Sequence, residues 1–505
     1  MAQTSPSGFS MVLKRREMRR LLGCVVPGLL ATVLGAGGGC GTSEVLVLRE
    51  LPEGPGGGMD SSVATVEAQA PLPDAPEDAP VIGTQQEYCE GSGPPELRAT
   101  TDAGTTSMCP DQLAQREFRY ALCLCSNYMN SQGLFTDAFD GAQGPYGAST
   151  PTAGGSVGVN GDLAPGPMNI NGSLWASDMT TNITTATAMS VSGDLHTQGE
   201  LHGTSLVVQG DAWMASGLQA SGDVTIKGTL HVPATQPTSV SGMFTHGAVD
   251  TMTLPYAPAC DCPFTPVVDV AGVVRTYQDP SDNDDVALGI QSTMLANVQP
   301  DDGSPDGGTP IVLQCGRIYL TRIGGNAPIH LIVQGRVALF VAGDVSVSDF
   351  RIDVPSPYEL DLFVGGSITA SGIFQVGDPS NPARARTYVG GRTVNLQNAA
   401  TLAGNLYAPN ANITLGPAPT TLYGAIFADS LSSGSDLTIH YDKAILTPPS
   451  TRACPTPTSC ITCNDCNGQP CNSLTCGGTC ADSSQCCAPL VCNGQGVCVP
   501  DVTPR

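Results

Sequence analysis

Eleven of the 20 cysteines fall between Cys454 and Cys498, and their spacing limits the chemistry open to them. The last six are Cys476, Cys480, Cys486, Cys487, Cys492 and Cys498. They occupy a segment too short to bury a core, so covalent bridges must replace one. Such bridges persist in an oxidising compartment, which predicts a chain working outside the cytoplasm. A zinc ribbon would need C-x2-C pairs. These six contain none, and no histidine follows His440. Cys460, Cys463 and Cys466 do have two-residue gaps, and Cys471 could complete a set of four, yet in an exported chain disulfides are expected there too. Upstream, Cys89, Cys109, Cys123, Cys125, Cys260 and Cys262 are also read as disulfide cysteines. The spacing of Cys123-x-Cys125 and Cys260-x-Cys262 is too tight for a usual four-cysteine zinc loop. Leaving Cys24 and Cys40 aside, seven cysteines precede Cys454 and eleven lie from it onward. Both counts are odd, so complete pairing needs a bridge from tail to body; Cys315 with Cys454 is one such pairing.

Other residue sets point to weaker chemistry. Asp279, Asp282, Asp284 and Asp285 offer hard oxygen ligands in one loop, and calcium is the cation they would suit. They lack the EF-hand register, and a solvated acidic loop is the plainer reading. No other cofactor is expected. His196, His202 and His231 fall near multiples of six and would share a metal only if one face gathered them. Asp344, Asp349, Asp353 and Asp361, with Arg336 and Arg351, could furnish a glycan-cleaving site, but no spacing among them sets an acid–base pair. The single G-x-S-x-G match, Gly154-Gly155-Ser156-Val157-Gly158, lies in a glycine-rich loop without the strand and helix a nucleophile elbow needs. The expectation is therefore no enzyme.

Stepping along the chain, Lys14, Arg15, Arg16, Arg19 and Arg20 precede an apolar run from Leu21 to Ala36, which ends at Gly37-Gly38-Gly39-Cys40. This is the order of an export signal, and the run of about sixteen residues is short of the ~20 needed to span a bilayer. Residues 1–39 read as a signal peptide. The stretch resembles a bacterial lipoprotein signal with Cys40 as the lipidated residue, although Gly37 stands where leucine or valine is usual. Gly41 after Cys40 favours, by resemblance to Gram-negative lipoproteins, the outer membrane or cell surface; plain secretion is the alternative. Removing residues 1–39 takes away five basic residues and one acidic one. The formal charge becomes 16 positive against 44 negative, from 21 and 45 in the whole chain. Such a surface repels nucleic acid and anionic lipid, so the membrane is reached only through the lipid.

Residues 40–88 read as an acidic, Pro/Gly-rich tether. Residues 89–145 read as a helical, cysteine-containing cap, because Leu113, Phe118, Ala121, Leu122 and Cys125 recur at near-helical spacing. From 146 to 259 short β-prone runs alternate with glycine, with Gly-Asp recurring at 161–162, 193–194, 210–211 and 222–223. Residues 260–310 form a cysteine-containing acidic insertion. In 311–446 the sequence Phe340-Val341-Ala342-Gly343 returns as Phe363-Val364-Gly365-Gly366, Tyr388-Val389-Gly390-Gly391, Tyr407-Ala408-Pro409-Asn410 and Phe427-Ala428-Asp429. Corners of this kind, about twenty residues apart, predict a mainly β fold: a parallel β-helix (β-solenoid) with a short helical N-terminal cap and a disulfide-rich C-terminal tail. His440-Tyr441-Asp442 would end the last coil before a Pro/Cys-rich linker at 447–475 and the module at 476–505.

Several stretches carry resemblances. The repeats in 191–232 are similar to those of bactofilins. Leu406–Leu446, with Leu406-Tyr407-Ala408-Pro409-Asn410-Ala411 and Tyr423-Gly424-Ala425-Ile426-Phe427-Ala428, resembles the closing segment of an uncharacterised solenoid domain of bacterial surface proteins, pilus-associated ones among them. The six terminal cysteines resemble an inhibitor cystine knot (knottin), which would imply pairs 476–487, 480–492 and 486–498. The function expected is that of a non-enzymatic cell-envelope surface protein, structural or adhesive, in which a rigid solenoid presents a disulfide-stabilised recognition module. Expected partners are envelope proteins, pili or extracellular polysaccharide. A polysaccharide-active β-helix enzyme, and a secreted inhibitor acting through its tail, are the alternatives.

Overall fold

Glycine-bounded strands of only three residues leave room for two inward side chains and one outward one. Leu195–Thr197, Ala212–Met214 and Val224–Ile226 do this: the first and third residues are buried and the middle one is partly exposed. In a computed structural model these strands stack in parallel into a three-faced β-solenoid of about 12 turns. The structure describes residues 83–446, apart from 94, 96, 102–103, 109–113, 115–116, 131, 148–150, 178–182, 235–237, 253–257, 263–267 and 300–309. Beyond Leu446 it describes only the backbone of four short strands, Cys471–Asn472 paired with Thr475–Cys476 and Leu490–Cys492 paired with Cys498–Pro500. The signal peptide, Cys40, most of the tether, Cys109 and the proposed bridges among the last six cysteines lie outside the described residues. Among those described, no helix is long and apolar enough to cross a membrane.

The corner repeats fall into register as their sequences align. Phe340 pairs with Phe363, Phe363 with Tyr388, Tyr388 with Tyr407 and Tyr407 with Phe427. Their rings stand in one outward row, which defines an aromatic face. The Gly-Asp pairs mark another repeated device. Asp194 Oδ1 accepts the Asp211 N–H at 2.9 Å, Asp211 Oδ1 the Thr229 N–H at 2.6 Å, and Asp223 Oδ1 the Met243 N–H at 2.8 Å. Each corner carboxylate thus satisfies a backbone donor on the next rung. The neighbouring glycine is required by closeness: a Cβ on Gly210 would lie 2.8 Å from the Gly193 carbonyl oxygen.

The order of coils in space is not their order in the chain. Ile426–Ser433 and Leu437–Asp442, the last strands of one block, pair with Leu122–Leu124, Tyr128–Asn130 and Leu134–Phe139, the first strands of the other. The matches are Ile426 to Leu122, Leu431 to Tyr128 and Leu437 to Leu134. Residues 311–442 therefore form the lower half of one column, and residues 122–251 continue it upward. The chain must return from the top of the upper half to the bottom of the lower half along the outside. Its contacts descend rung by rung. Ala259 N–H donates to Ser177 Oγ, and Cys260 and Cys262 are bonded to Cys123 and Cys125. Val268 N–H then meets Tyr407 Oη, the helix Val270–Thr276 passes Gly390, Tyr277 stacks on Phe340, and Asp284 reaches Arg317.

The N-terminal segment climbs the same lower half. A six-residue helix, Gln85–Glu90, begins in a capping box of Thr84 and Glu87, and Cys89 is bonded to Cys315. Gly93 meets Arg336 and Glu359, and Phe118 accepts from Tyr441 Oη. The chain then joins the column at Leu122. This corrects the reading of 89–145 as a helical cap: residues 122–139 are the first coil of the upper half, so that block begins at 122 rather than 146. The apolar spacing had fitted a helix. Pairing with strands on both sides, together with the outward use of Cys123, decides for strand.

The cystines correct the guess of Cys315 with Cys454, since Cys315 pairs with Cys89. They also show that the two C-x-C motifs do meet, as two disulfides. Each of these closes 137 residues, so once one is in place the second encloses almost no further chain. Removing Cys123 and Cys260 alone, or Cys125 and Cys262 alone, should cost little, whereas removing both pairs should cost about 5 kcal/mol. Urea melts of the three alanine variants check this; additive losses would contradict it. With six of the seven upstream cysteines paired among themselves, complete oxidation leaves Cys109 as the partner of one tail cysteine. A non-reducing peptide map should find that cross-link, and a free Cys109 thiol would refute it.

Candidate functional site

Where the two half-columns meet, side chains more than 300 residues apart in sequence share one face. The strands Leu437–Asp442, Leu134–Phe139 and Met168–Ile170 lie side by side there. Period-2 alternation buries Leu437, Ile439, Leu134, Thr136, Met168 and Ile170, and turns Thr438, His440, Phe135, Asp137 and Asn169 outward. His440 and Asp137 are register partners, and His440 Nδ1 lies 2.8 Å from Asp137 Oδ1. The other carboxylate oxygen, Oδ2, accepts from Tyr146 Oη, also at 2.8 Å. Tyr146 comes from the loop after the first upper coil and lies over His440, with ring centroids 3.8 Å apart. Burial, and then the bond to Asp137, push the Tyr146 hydroxyl above its ordinary range, so it remains a donor.

Beside this trio is an open cleft of about 280 Å³, lined by Phe135, Thr136, Asp137, Pro151, Asn169, Asn171, Ser192 and Thr438. Asn171 is fixed from two sides: its Nδ2 donates to the Thr152 carbonyl at 3.2 Å, and its Oδ1 accepts from Ser192 Oγ at 2.9 Å. Just below, Asp442 is fully buried, and its carboxyl is pushed up by burial while Gly141 and Ala444 N–H groups bind it. The sequence reading missed Asp137 and Tyr146. His440-Tyr441-Asp442 does end the last coil in chain order, but the sequence did not show that the strand Leu134–Phe139 pairs beside it in space. Nothing local in the sequence marks this pairing.

The residues singled out by sequence go elsewhere. Asp284 makes a paired contact with Arg317, at 2.9 and 3.0 Å, and also accepts the Arg317 N–H. Asp285 accepts the Tyr319 N–H at 3.1 Å, and Asp279 binds Ser281. Two members of the calcium set thus hold the returning segment to the lower half. No group of three His, Cys, Asp or Glu suited to a metal occurs among the described residues. His196 and His231 do share the aromatic face, but the Trp213 ring is stacked between them, and His202 lies on another face beside Glu200. Desolvation between the Trp175 and Trp213 rings of this Trp175–His196–Trp213–His231 ladder, aided by His231, lowers His196 to about 3 and keeps it neutral.

The outer-face carboxylates weighed for catalysis have structural partners. Asp344 and Asp349 accept the Ser367 and Ile373 N–H groups on the next rung. Asp353 joins Arg351 and His330. Asp361 is fully buried against Arg386, with Glu359 alongside, and Arg336 holds the Gly93 and Tyr88 carbonyls. Ser156 of the G-x-S-x-G match leads directly into the strand Val157–Val159, with no helix after it.

A sequence profile for a domain of unknown function, DUF7305, matches residues 267–447, which is the lower half of the column with the helix that covers it. The match includes His440 but neither Asp137 nor Tyr146. No curated protein and no solved structure matches the chain.

Asp285 permits a pH test of the clamp. Burial raises its carboxyl to about 6, opposed by the Tyr319 N–H and assisted by the Asp284 charge. Because the folded value exceeds the ordinary one of ~3.9, the folded state favours the protonated form. This contribution is present below pH ~4 and is lost as pH rises through 6. Asp285→Asn, which keeps an acceptor for Tyr319, should raise the melting temperature at pH 7.5 and leave it unchanged at pH 4. Equal shifts at both pH values would contradict the assignment.

Proposed function

We propose that this chain is a non-enzymatic scaffold of the bacterial envelope, lipidated at Cys40 and held off the outer membrane by its acidic tether. The observation that carries this reading is the unbroken rung pairing across the seam, which turns two separate blocks into one rigid solenoid. Its chain path adds support. The segment following the tether is bonded to the lowest coil through Cys89 and Cys315, so an anchor at Cys40 would draw on the base of the column. The tail leaves after Leu446, beside the seam, where a cysteine-rich module would be displayed laterally. The outward carboxylates Asp344, Asp349 and Asp353 are engaged in contacts between rungs, as a structural role requires. Envelope proteins, pili and extracellular polysaccharide are the partners such a display would meet.

The anchor and the display are tested together in the native host. The mature N-terminus should be acylated Cys40, and Cys40→Ser should release the protein from the membrane fraction. A chain lacking residues 476–505 should stay anchored but lose the envelope proteins that copurify with the full chain. An unmodified N-terminus beyond Cys40, or identical partners with and without the tail, would overturn the corresponding part.

A further inference from the structure

We propose that the seam cleft binds a neutral oligosaccharide. This deepens the envelope-scaffold reading above and rests on it for the setting in which the ligand is met, while the binding itself is a property of the isolated chain. Thr438, Phe135 and Asn169 are register partners on three successive rungs, forming one row with an aromatic ring between two polar groups. Rungs are spaced ~4.8 Å apart, so the row offers repeated contacts to a repeating ligand. Among the described residues neither the Thr438 nor the Asn169 side chain has a hydrogen-bond partner, and Asn169 is exposed. Phe135 is half-exposed, and its ring occupies the space where a Cβ at Gly133 would collide with it. The second row, Asp137 and Asn171, is held by Tyr146, His440, Thr152 and Ser192. Polar groups fixed before the ligand arrives lose little freedom on binding.

The composition of the cleft narrows the ligand class. Its one acidic or basic side chain is Asp137, no Lys or Arg lines it, and the chain carries a formal charge of −24, so phosphates, nucleotides and uronic acids are disfavoured. A metal ion would find a single carboxylate whose two oxygens already accept hydrogen bonds. An extended peptide would need an open strand edge, but the rungs here are paired on both sides. A wholly apolar ligand would leave the amides and hydroxyls unpaired. A ligand with hydroxyls at its rim and an apolar C–H face suits an aromatic ring flanked by amide, hydroxyl and carboxylate. That is the chemistry of a neutral sugar. The volume, about 280 Å³, lies near the lower end of the ~300–1,000 Å³ of small-ligand clefts and suits one or two sugar rings.

The test is calorimetric titration of the oxidised, full-length mature protein with cellotetraose, maltotetraose and laminaritetraose, with tetragalacturonate as the charged control. At least one neutral tetrasaccharide should saturate with a Kd below about 1 mM, and the charged one should not. Phe135→Ala and Asn169→Ala should each weaken binding at least tenfold, while Thr225→Ala, on the same face higher in the column, should not. Asn169 is solvent-exposed, so its variant keeps the test readable should Phe135→Ala melt early. No saturation by any neutral tetrasaccharide, equal binding of the uronate, or full-strength binding by the Asn169 variant would overturn the proposal. Because the assay uses the isolated protein away from any membrane, failure here leaves the anchored scaffold standing, and release of Cys40→Ser from membranes leaves the cleft standing.

Discussion

A parallel β-rung presents a row of N–H and C=O groups along both of its edges, and each row has to be matched by another rung or by water. Within either half-column the next coil in sequence supplies the match. At the lower half's last coil and the upper half's first coil it does not, and the two rows satisfy each other. The seam that results requires the chain to join the column in its middle, fill the upper half, return along the outside, and then fill the lower half. The returning segment, the covered aromatic face and the placement of the cystines are all consequences of that single pairing.

The return path explains a contrast along the aromatic face. In the lower half Phe340, Phe363, Tyr388, Tyr407 and Phe427 point away from the column's interior, yet they are buried; over this row runs the returning segment, with Tyr277 stacked on Phe340 and the Val268 N–H against Tyr407 Oη. On this face the segments Leu339-Phe340-Val341 and Leu362-Phe363-Val364 therefore read as continuous apolar runs, as strands covered on two sides do. In the upper half Trp175, His196 and Trp213 occupy the equivalent row and remain partly exposed. Between these regions Gly158 follows Cys123 in register, and it leaves the space in which Ala259 and Cys260 descend. A glycine in an otherwise bulky row thus marks where one segment crosses another.

Charge follows the same logic. Among the described residues the most buried ion pairs, Arg386 with Asp361 and Glu359 and Arg317 with Asp284, sit where the N-terminal and returning segments are fastened to the lower half. Leaving one partner without the other there would strand a buried charge, which gives these pairs a role in fixing position more than in adding net stability. The profile match to residues 267–447 encloses this lower half with its cover. The seam cleft takes one wall from inside that region and the rest from outside it, so the cleft belongs to the assembled column and not to either half.

The sequence alone determined whatever depends on local repetition. Glycine corners, alternating side chains and the Phe/Tyr motifs identified the solenoid and the register of its lower coils, because each coil sees only its neighbours. Residues 122–139 were misread, since their apolar spacing fits a helix equally well and only the strands on either side decide between the two. Tertiary structure alone decided the order of the halves, the pairing of Cys315 with Cys89, and the meeting of His440 with Asp137 and Tyr146. These contacts join residues that no repeat relates. They arise because unmatched rung edges must find one another in space, a demand that leaves no mark in the spacing of residues along the chain.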